Sequence, residues 1–190
     1  MLIRKFGGVE ARMPTLDELA MMTAREGDYE AMQKLAKACV PKYAELRKRF
    51  PACSVVLAAE ILVGCGSGAP LTVLTEDEIE DEAMAKAYLA AQQKLELQEQ
   101  RTGVACPLYA LTVSVGDESF AFVLRGLNER ETDDYMKSEG PHQAKALHKK
   151  VRVYSSRDDI DEQAPGLYMN LARFLLDRAG LLDGELVGKA

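Results

Sequence analysis

The stretch LTVSVGDESFAFVLRGLNERE, residues 111–131, carries a strand, a turn, a second strand and the opening of a helix in one run. Leu111, Val113 and Val115 alternate with Thr112 and Ser114, the period of two that sends apolar groups to one side of a sheet and polar groups to the other. Gly116-Asp117-Glu118 supplies the turn and Phe120 to Leu124 returns. One face of this hairpin is therefore expected to be dry and the other wet. Asn128-Glu129-Arg130-Glu131 has the form of a capping box, in which a side-chain oxygen caps the first helical amides and the carboxylate three residues on caps back.

Working outward, the same landmarks occur near the start of the chain. Leu2 to Phe6 and Val9 to Met13 flank Gly7-Gly8, and Thr15-Leu16-Asp17-Glu18 is a second capping box, 113 residues before the first. At that offset Glu26-Gly27 falls on Glu139-Gly140, Ala31 on Ala144, Lys37 on Lys150 and Val40 on Val153. One inserted residue later, at an offset of 114, Pro51 falls on Pro165, Leu57-Ala58 on Leu171-Ala172, Leu62 on Leu176 and Gly66 on Gly180. Identity is only about one position in five, so the weight rests on caps, glycines and prolines arriving in order. The expected fold is α+β and predominantly helical: two similar hairpin-plus-three-helix modules, Ile3 to Gly66 and Leu111 to Gly180, joined by a long helix. As domains this gives 1–66, a break and bridging helix over 67–106, and 107–190.

Within the first module a helix is expected from about Leu16 to Arg25, ending at Gly27, and another from about Tyr29 to Cys39, ending before Pro41, which lacks the amide to continue it. A third follows Phe50-Pro51 with Val55, Val56, Leu57, Ala58, Ile61, Leu62 and Val63 and stops at Gly64. It is apolar nearly all round, so it is either the module's buried centre or a partner surface. Its counterpart, about Leu167 to Ala179, is more amphipathic, with Arg173, Asp177 and Arg178 outside. Between the modules Gly64-Cys65-Gly66-Ser67-Gly68-Ala69-Pro70 reads as a flexible break. Thr75-Glu76-Asp77-Glu78 then opens a helix reaching about Gln100, whose weak stripe of Ile79, Ala83, Ala87, Ala90, Ala91 and Leu95 suits a solvated bridge better than a coiled coil.

The 190 residues, 47% of them hydrophobic, can bury a substantial core. A net charge of −6 argues against a nucleic-acid surface, and the basic run Lys42 to Arg49 is diluted by Ala44, Glu45 and Leu46, as on the wet face of a connector. The longest apolar stretch, Val55 to Gly66, is interrupted by Glu60 and falls well short of the roughly 18 residues that a membrane span needs. The start, Met1 to Phe6, lacks the pattern of a signal peptide, and a cytoplasmic setting is expected.

No reactive constellation stands out, and neither a cofactor, a metal nor catalysis is expected. Cys39, Cys53, Cys65 and Cys106 show no Cys-x-x-Cys spacing and read as small hydrophobes. His142 and His148 are off the i, i+4 spacing that puts two ligands on one helix face. Gly64 to Gly68 is no phosphate loop, because a helix precedes it and Pro70 follows. The carboxylates of Glu76 to Glu82 lack the pattern of a calcium loop and suit the positive end of a helix; Asp158-Asp159 and Asp161-Glu162 read as another solvated helix start. Ser155-Ser156 has no histidine base placed near it.

The second module also resembles a known family. Val113-x-Val115 with Gly116-Asp117, then Phe120-Ala121-Phe122-x-Leu124, a capped helix with Tyr135, and Pro165-Gly166-Leu167 leading into Leu171-Ala172-x-Phe174-Leu175-Leu176-x-x-Ala179-Gly180 is similar to the tail assembly chaperones of tailed bacteriophages. The resemblance covers about Tyr109 to Leu182, and less fully Ile3 to Gly66 through Pro14-Thr15-Leu16-Asp17-Glu18 and Phe50-Pro51-Ala52-Cys53. It implies a non-enzymatic role in the host cytoplasm, binding the helical tape-measure protein while tail-tube subunits polymerise around it. The doubled module leaves open a structural component of the virion tail, baseplate or connector, and a phage-encoded inhibitor of a host protein remains a further alternative. The partners are then tape-measure or tail and baseplate proteins, with homo-oligomers possible and neither nucleic acid nor membrane. Met13, Met21, Met22 and Met32 gather in the first module, and adaptable methionine-rich faces suit a helical client. Met22, Leu57 and Ile61 are expected to form the client-facing patch.

Overall fold

A computed structural model describes residues 3–6, 9–23 and 28–187, with side chains over 9–22 and 28–179. The fold is α+β and mostly helical. The chain begins with strands β1 (Ile3–Phe6) and β2 (Val9–Arg12), followed by helices α1 (Leu16–Thr23), α2 (Tyr29–Cys39), α3 (Tyr43–Arg49) and α4 (Cys53–Gly64). Then come β3 (Leu71–Leu74), α5 (Glu82–Thr102), β4 (Leu108–Val115), β5 (Glu118–Arg125), α6 (Glu129–Met136), α7 (Pro141–Val151), β6 (Arg152–Ser155), α8 (Ile160–Gln163) and α9 (Leu167–Val187). The Gly7-Gly8 turn and the stop at Gly27 lie outside the described residues, and α1 is described to Thr23.

In the first half the antiparallel β1–β2 ribbon precedes four helices whose core holds Leu19, Leu35, Ala36, Tyr43, Ala58 and Ile61. The basic run is a helix rather than a bare connector: Tyr43 anchors α3 inward and its hydroxyl shares a 2.7 Å hydrogen bond with buried Ser54. In the second half an antiparallel sheet has the order β3-β4-β5-β6. Leu111, Val113, Phe120 and Phe122 point from it into a core shared with Leu147 and Val151 of α7 and Leu167, Leu171 and Leu175 of α9. Leu16 packs against the cores of both halves.

The long helix is not a bridge. Helix α5 lies on the opposite side of the sheet, where Met84 packs with Ala110 and Val123, flanked by Tyr88 and Tyr154. The face expected to be wet is therefore dry at its Ala110 end and exposed only toward Ser114. The capping box at Thr75 is present, but it closes a single 3₁₀ turn over Glu76–Glu78. The helix starts again at Glu82, where Asp81 accepts from the Met84 amide at 2.6 Å and from the Tyr154 hydroxyl at 3.2 Å, tying the cap to β6. With β3 and β6 in one sheet and α5 across it, the segment 67–106 packs as part of the second half rather than as a linker.

Hairpin and first helix are joined in the same way in both halves. Arg12 ends β2 and Arg125 ends β5, and each guanidinium grips the carboxylate six residues on, Glu18 or Glu131. Nη1 of each also donates to the next carbonyl, Met13 O at 2.9 Å and Gly126 O at 3.0 Å. The same carboxylates accept the cap amides of Thr15 at 2.8 Å and Asn128 at 3.2 Å. Such charge-assisted, bidentate bonds fix strand end to helix start. The arginines hold both glutamates below the usual carboxylate range, against the opposing effect of partial burial. Around this shared joint the halves differ, since β3, β6 and α5 have no counterpart in the first.

Candidate functional site

The two halves meet at the segment expected to be a flexible break, and it is pinned. Asn170, near the start of α9, accepts from the Gly68 amide at 2.9 Å and donates to the carbonyls of Gly66 at 2.6 Å and Ala69 at 3.2 Å. The Gly166 amide donates to Cys65 O at 2.8 Å. A Cβ at Gly166 would stand 2.7 Å from Ser67 N and 2.9 Å from Cys65 O, so only glycine permits this approach. Gly66 turns the chain with φ +89, a left-handed conformation. On the surface His142 Nε2 lies 2.8 Å from Asp17 Oδ1, linking α7 to α1.

Beside this joint lies a groove of about 880 Å³. One wall is Ala20 of α1 with Ala59, Leu62 and Val63 of α4; the other is Pro141 and Gln143 at the start of α7 with Met169 and Arg173 of α9. Helix α4 packs Leu57, Ala58 and Ile61 inward, yet its outer side is also apolar: Val56 is 63% exposed, Val63 is 68% exposed, and Ala59 between them faces solvent. The residues 114 positions further on, Asn170, Arg173 and Asp177 of α9, are polar.

No family model, curated protein or solved structure matches this chain.

The patch expected from Met22, Leu57 and Ile61 is corrected by their positions. Each is buried in the core of the first half, because inward packing of α1 and α4 on α2 takes those sides of the helices. Of the adjacent methionines Met21 is the exposed one, at 45%. The two walls of the groove lie about 80 to 150 positions apart along the chain, a separation that no local sequence pattern spans.

The residues considered for chemistry take structural roles. His148 is buried between the rings of Phe122 and Tyr168, at centroid distances of 5.6 and 5.3 Å, and its Nε2 has no hydrogen-bond partner. Burial, aided by Arg152, pushes its pKa down to about 4, so the ring is neutral. Burial raises the Cys39 thiol to about 11 and the Cys65 thiol to about 12, which makes both inert. Ser156 Oγ accepts the Ala121 amide at 2.9 Å and Ser155 Oγ donates to Arg157 O at 2.5 Å. Asp159 receives the Arg157 guanidinium at 2.9 and 2.7 Å, and that group also lies over the Phe120 ring at 5.1 Å. Among the described residues no group of three or more His, Cys, Asp or Glu side chains is placed to hold a metal, and no helix is long and apolar enough to cross a membrane.

Proposed function

We propose that this chain is a non-enzymatic assembly protein of a bacteriophage tail, and that its groove receives an amphipathic helix of the tape-measure protein. The observation that carries the reading is the outward aliphatic face of α4 at Val56, Ala59 and Val63. A helix laid there would set its apolar side on α4 and its polar side toward Gln143 and Arg173 across the groove. The alternative of a structural part of the tail, baseplate or connector draws on the pinned joint at Gly66, Gly166 and Asn170, which suits a permanent building block as well as a transient one.

The test is co-expression with the tape-measure protein of the same genome, followed by sizing of the purified complex. Ala59→Asp with Val63→Asp should abolish the complex while the melting temperature holds, because both side chains line the groove and are exposed. A complex of unchanged stability in that variant would refute the groove as the binding site. Mass spectrometry of mature particles separates the two roles: a fixed copy number relative to the tail-tube protein means a virion component, and presence in the lysate alone means an assembly factor.

A further inference from the structure

Two oppositely charged segments have no part in the groove. On α3, Lys42, Arg47, Lys48 and Arg49 are all exposed, and the Arg49 guanidinium lies 5.6 Å over the ring of Phe50, itself 56% exposed. The corner is thus basic and aromatic together, and Pro51, Ala52 and Val55 continue it along the surface onto α4. In the other half, six of the seven residues from Glu76 to Glu82 are acidic. Glu78 and Asp81 are engaged in capping Thr75 and Met84, while Glu76, Glu80 and Glu82 are exposed beside the edge strand β3, whose Val73 is 43% exposed. Among the described residues none of the four basic side chains forms an ion pair with these carboxylates of its own chain, and α3 packs against α2 and α4 while the acidic segment borders the sheet.

We propose that the chain associates head to tail with a second copy of itself, the basic corner at Lys42, Arg47, Lys48 and Arg49 seating against the acidic edge at Glu76, Glu80 and Glu82 of the next chain. Each side pairs an excess of one charge with an exposed apolar group, Phe50 on one and Val73 on the other, with Glu45 the carboxylate that interrupts the basic run of α3. Because the two surfaces differ, the contact is heterologous: it leaves one free surface of each kind on a pair and propagates into a ring or an open chain. This proposal does not depend on the groove or on the identity of its client.

The experiment is sedimentation velocity on the full chain over about a hundredfold range of concentration, in about 50 mM and about 500 mM salt. The wild-type protein should grow beyond one chain as concentration rises and return to one chain in high salt. Arg47→Glu with Arg49→Glu removes the basic corner, and Glu76→Lys with Glu80→Lys removes the acidic edge; each variant alone should sediment as a single chain. Mixed, they should associate again, because the first keeps its acidic edge and the second its basic corner, and the two reversed surfaces are themselves of opposite charge. The proposal is overturned if the wild-type chain stays single throughout at low salt, if association survives either reversal, or if the mixture stays single while the wild type assembles. Association abolished by a chelator or by nuclease, pointing to a bridging cation or a nucleic acid, overturns it equally. Circular dichroism checks that the variants fold, and the wild-type salt dependence decides the matter if one does not.

Discussion

His148 should give this protein an acid-labile core at a pH where its carboxylates still hold. The ring sits between Phe122 and Tyr168 with Nε2 unpartnered, and the charged groups that act on it are Arg152, which opposes protonation, and Asp161, which favours it. Its folded pKa of about 4 lies below the ordinary 6.5, so the unfolded chain takes up the proton first. The stabilising contribution is complete above pH 6.5, shrinks as pH falls from there toward 4, and is gone below it. Integrating that difference between pH 7 and pH 5 gives a loss of about 2 kcal/mol. At a urea dependence of about 2 kcal/mol per molar, the unfolding midpoint should drop by about 1 M. The assay is urea denaturation of wild type and His148→Leu at pH 7, 6 and 5. The variant, with no ring to protonate, should lose far less over the same interval, whatever its stability at pH 7. If both chains lose stability in parallel, or if the His148 resonance titrates near pH 6.5 in the folded protein, the reasoning is wrong.

The Arg–Glu clamps should behave as two equivalent and independent joints. Glu18→Gln and Glu131→Gln should each cost about 1–3 kcal/mol in chemical denaturation, and the double variant about the sum. Because the arginines hold both carboxyls low, the wild-type stability they add is present above about pH 4.5 and lost as pH falls through the folded values, a loss absent from the glutamine variants. At the joint between halves, Gly166→Ala should lower stability by about 1–3 kcal/mol, because the new methyl group meets backbone atoms that cannot step aside, and the crystal or solution structure should show Ser67 displaced. Asn170→Ala, which leaves the Gly66 and Ala69 carbonyls without their donor, should speed amide exchange of the Gly68 amide specifically. Cys39 and Cys65 should react with a thiol reagent at pH 8 only at the rate of unfolding, and rapid labelling of either in the native protein would contradict their burial.

The parts of this fold that could be read from sequence are those set by local rules. Helix α2 runs from Tyr29 to Cys39 as expected because Asp28 caps it and Pro41 cannot extend it, and the alternation through Leu111, Val113 and Val115 marks the inner face of β4. Both hairpin-to-helix caps formed where Thr15 and Asn128 predicted them. The misses depend on partners distant in sequence. Strands β3 and β6 have four residues each, too few for a period to show, and exist because β4 and β5 offer edges. Helix α5 looked solvated because its buried side consists of Met84, Tyr88 and Ala91, and its sheet contact lies over Ala110 and Val123, small groups that announce no core. Leu57 and Ile61 face the core and the outer side of α4 belongs to Val56 and Val63; in a helix apolar all round, periodicity cannot tell inside from outside.

The tether at Asn170 bears on how a chain with two halves avoids tangling with its neighbours. Adjacent units of like sequence are prone to exchange partners between molecules during folding, and a long, loose connection invites that swap. Here the connection is short and is held at Gly66, Gly68 and Ala69 by one side chain of the following half. With the linker held by α9 of the same chain, exchange of either half with a second molecule has first to break these bonds and then to compete with a partner that is covalently attached. Fidelity of pairing thus draws on an amide as well as on the difference between the two cores.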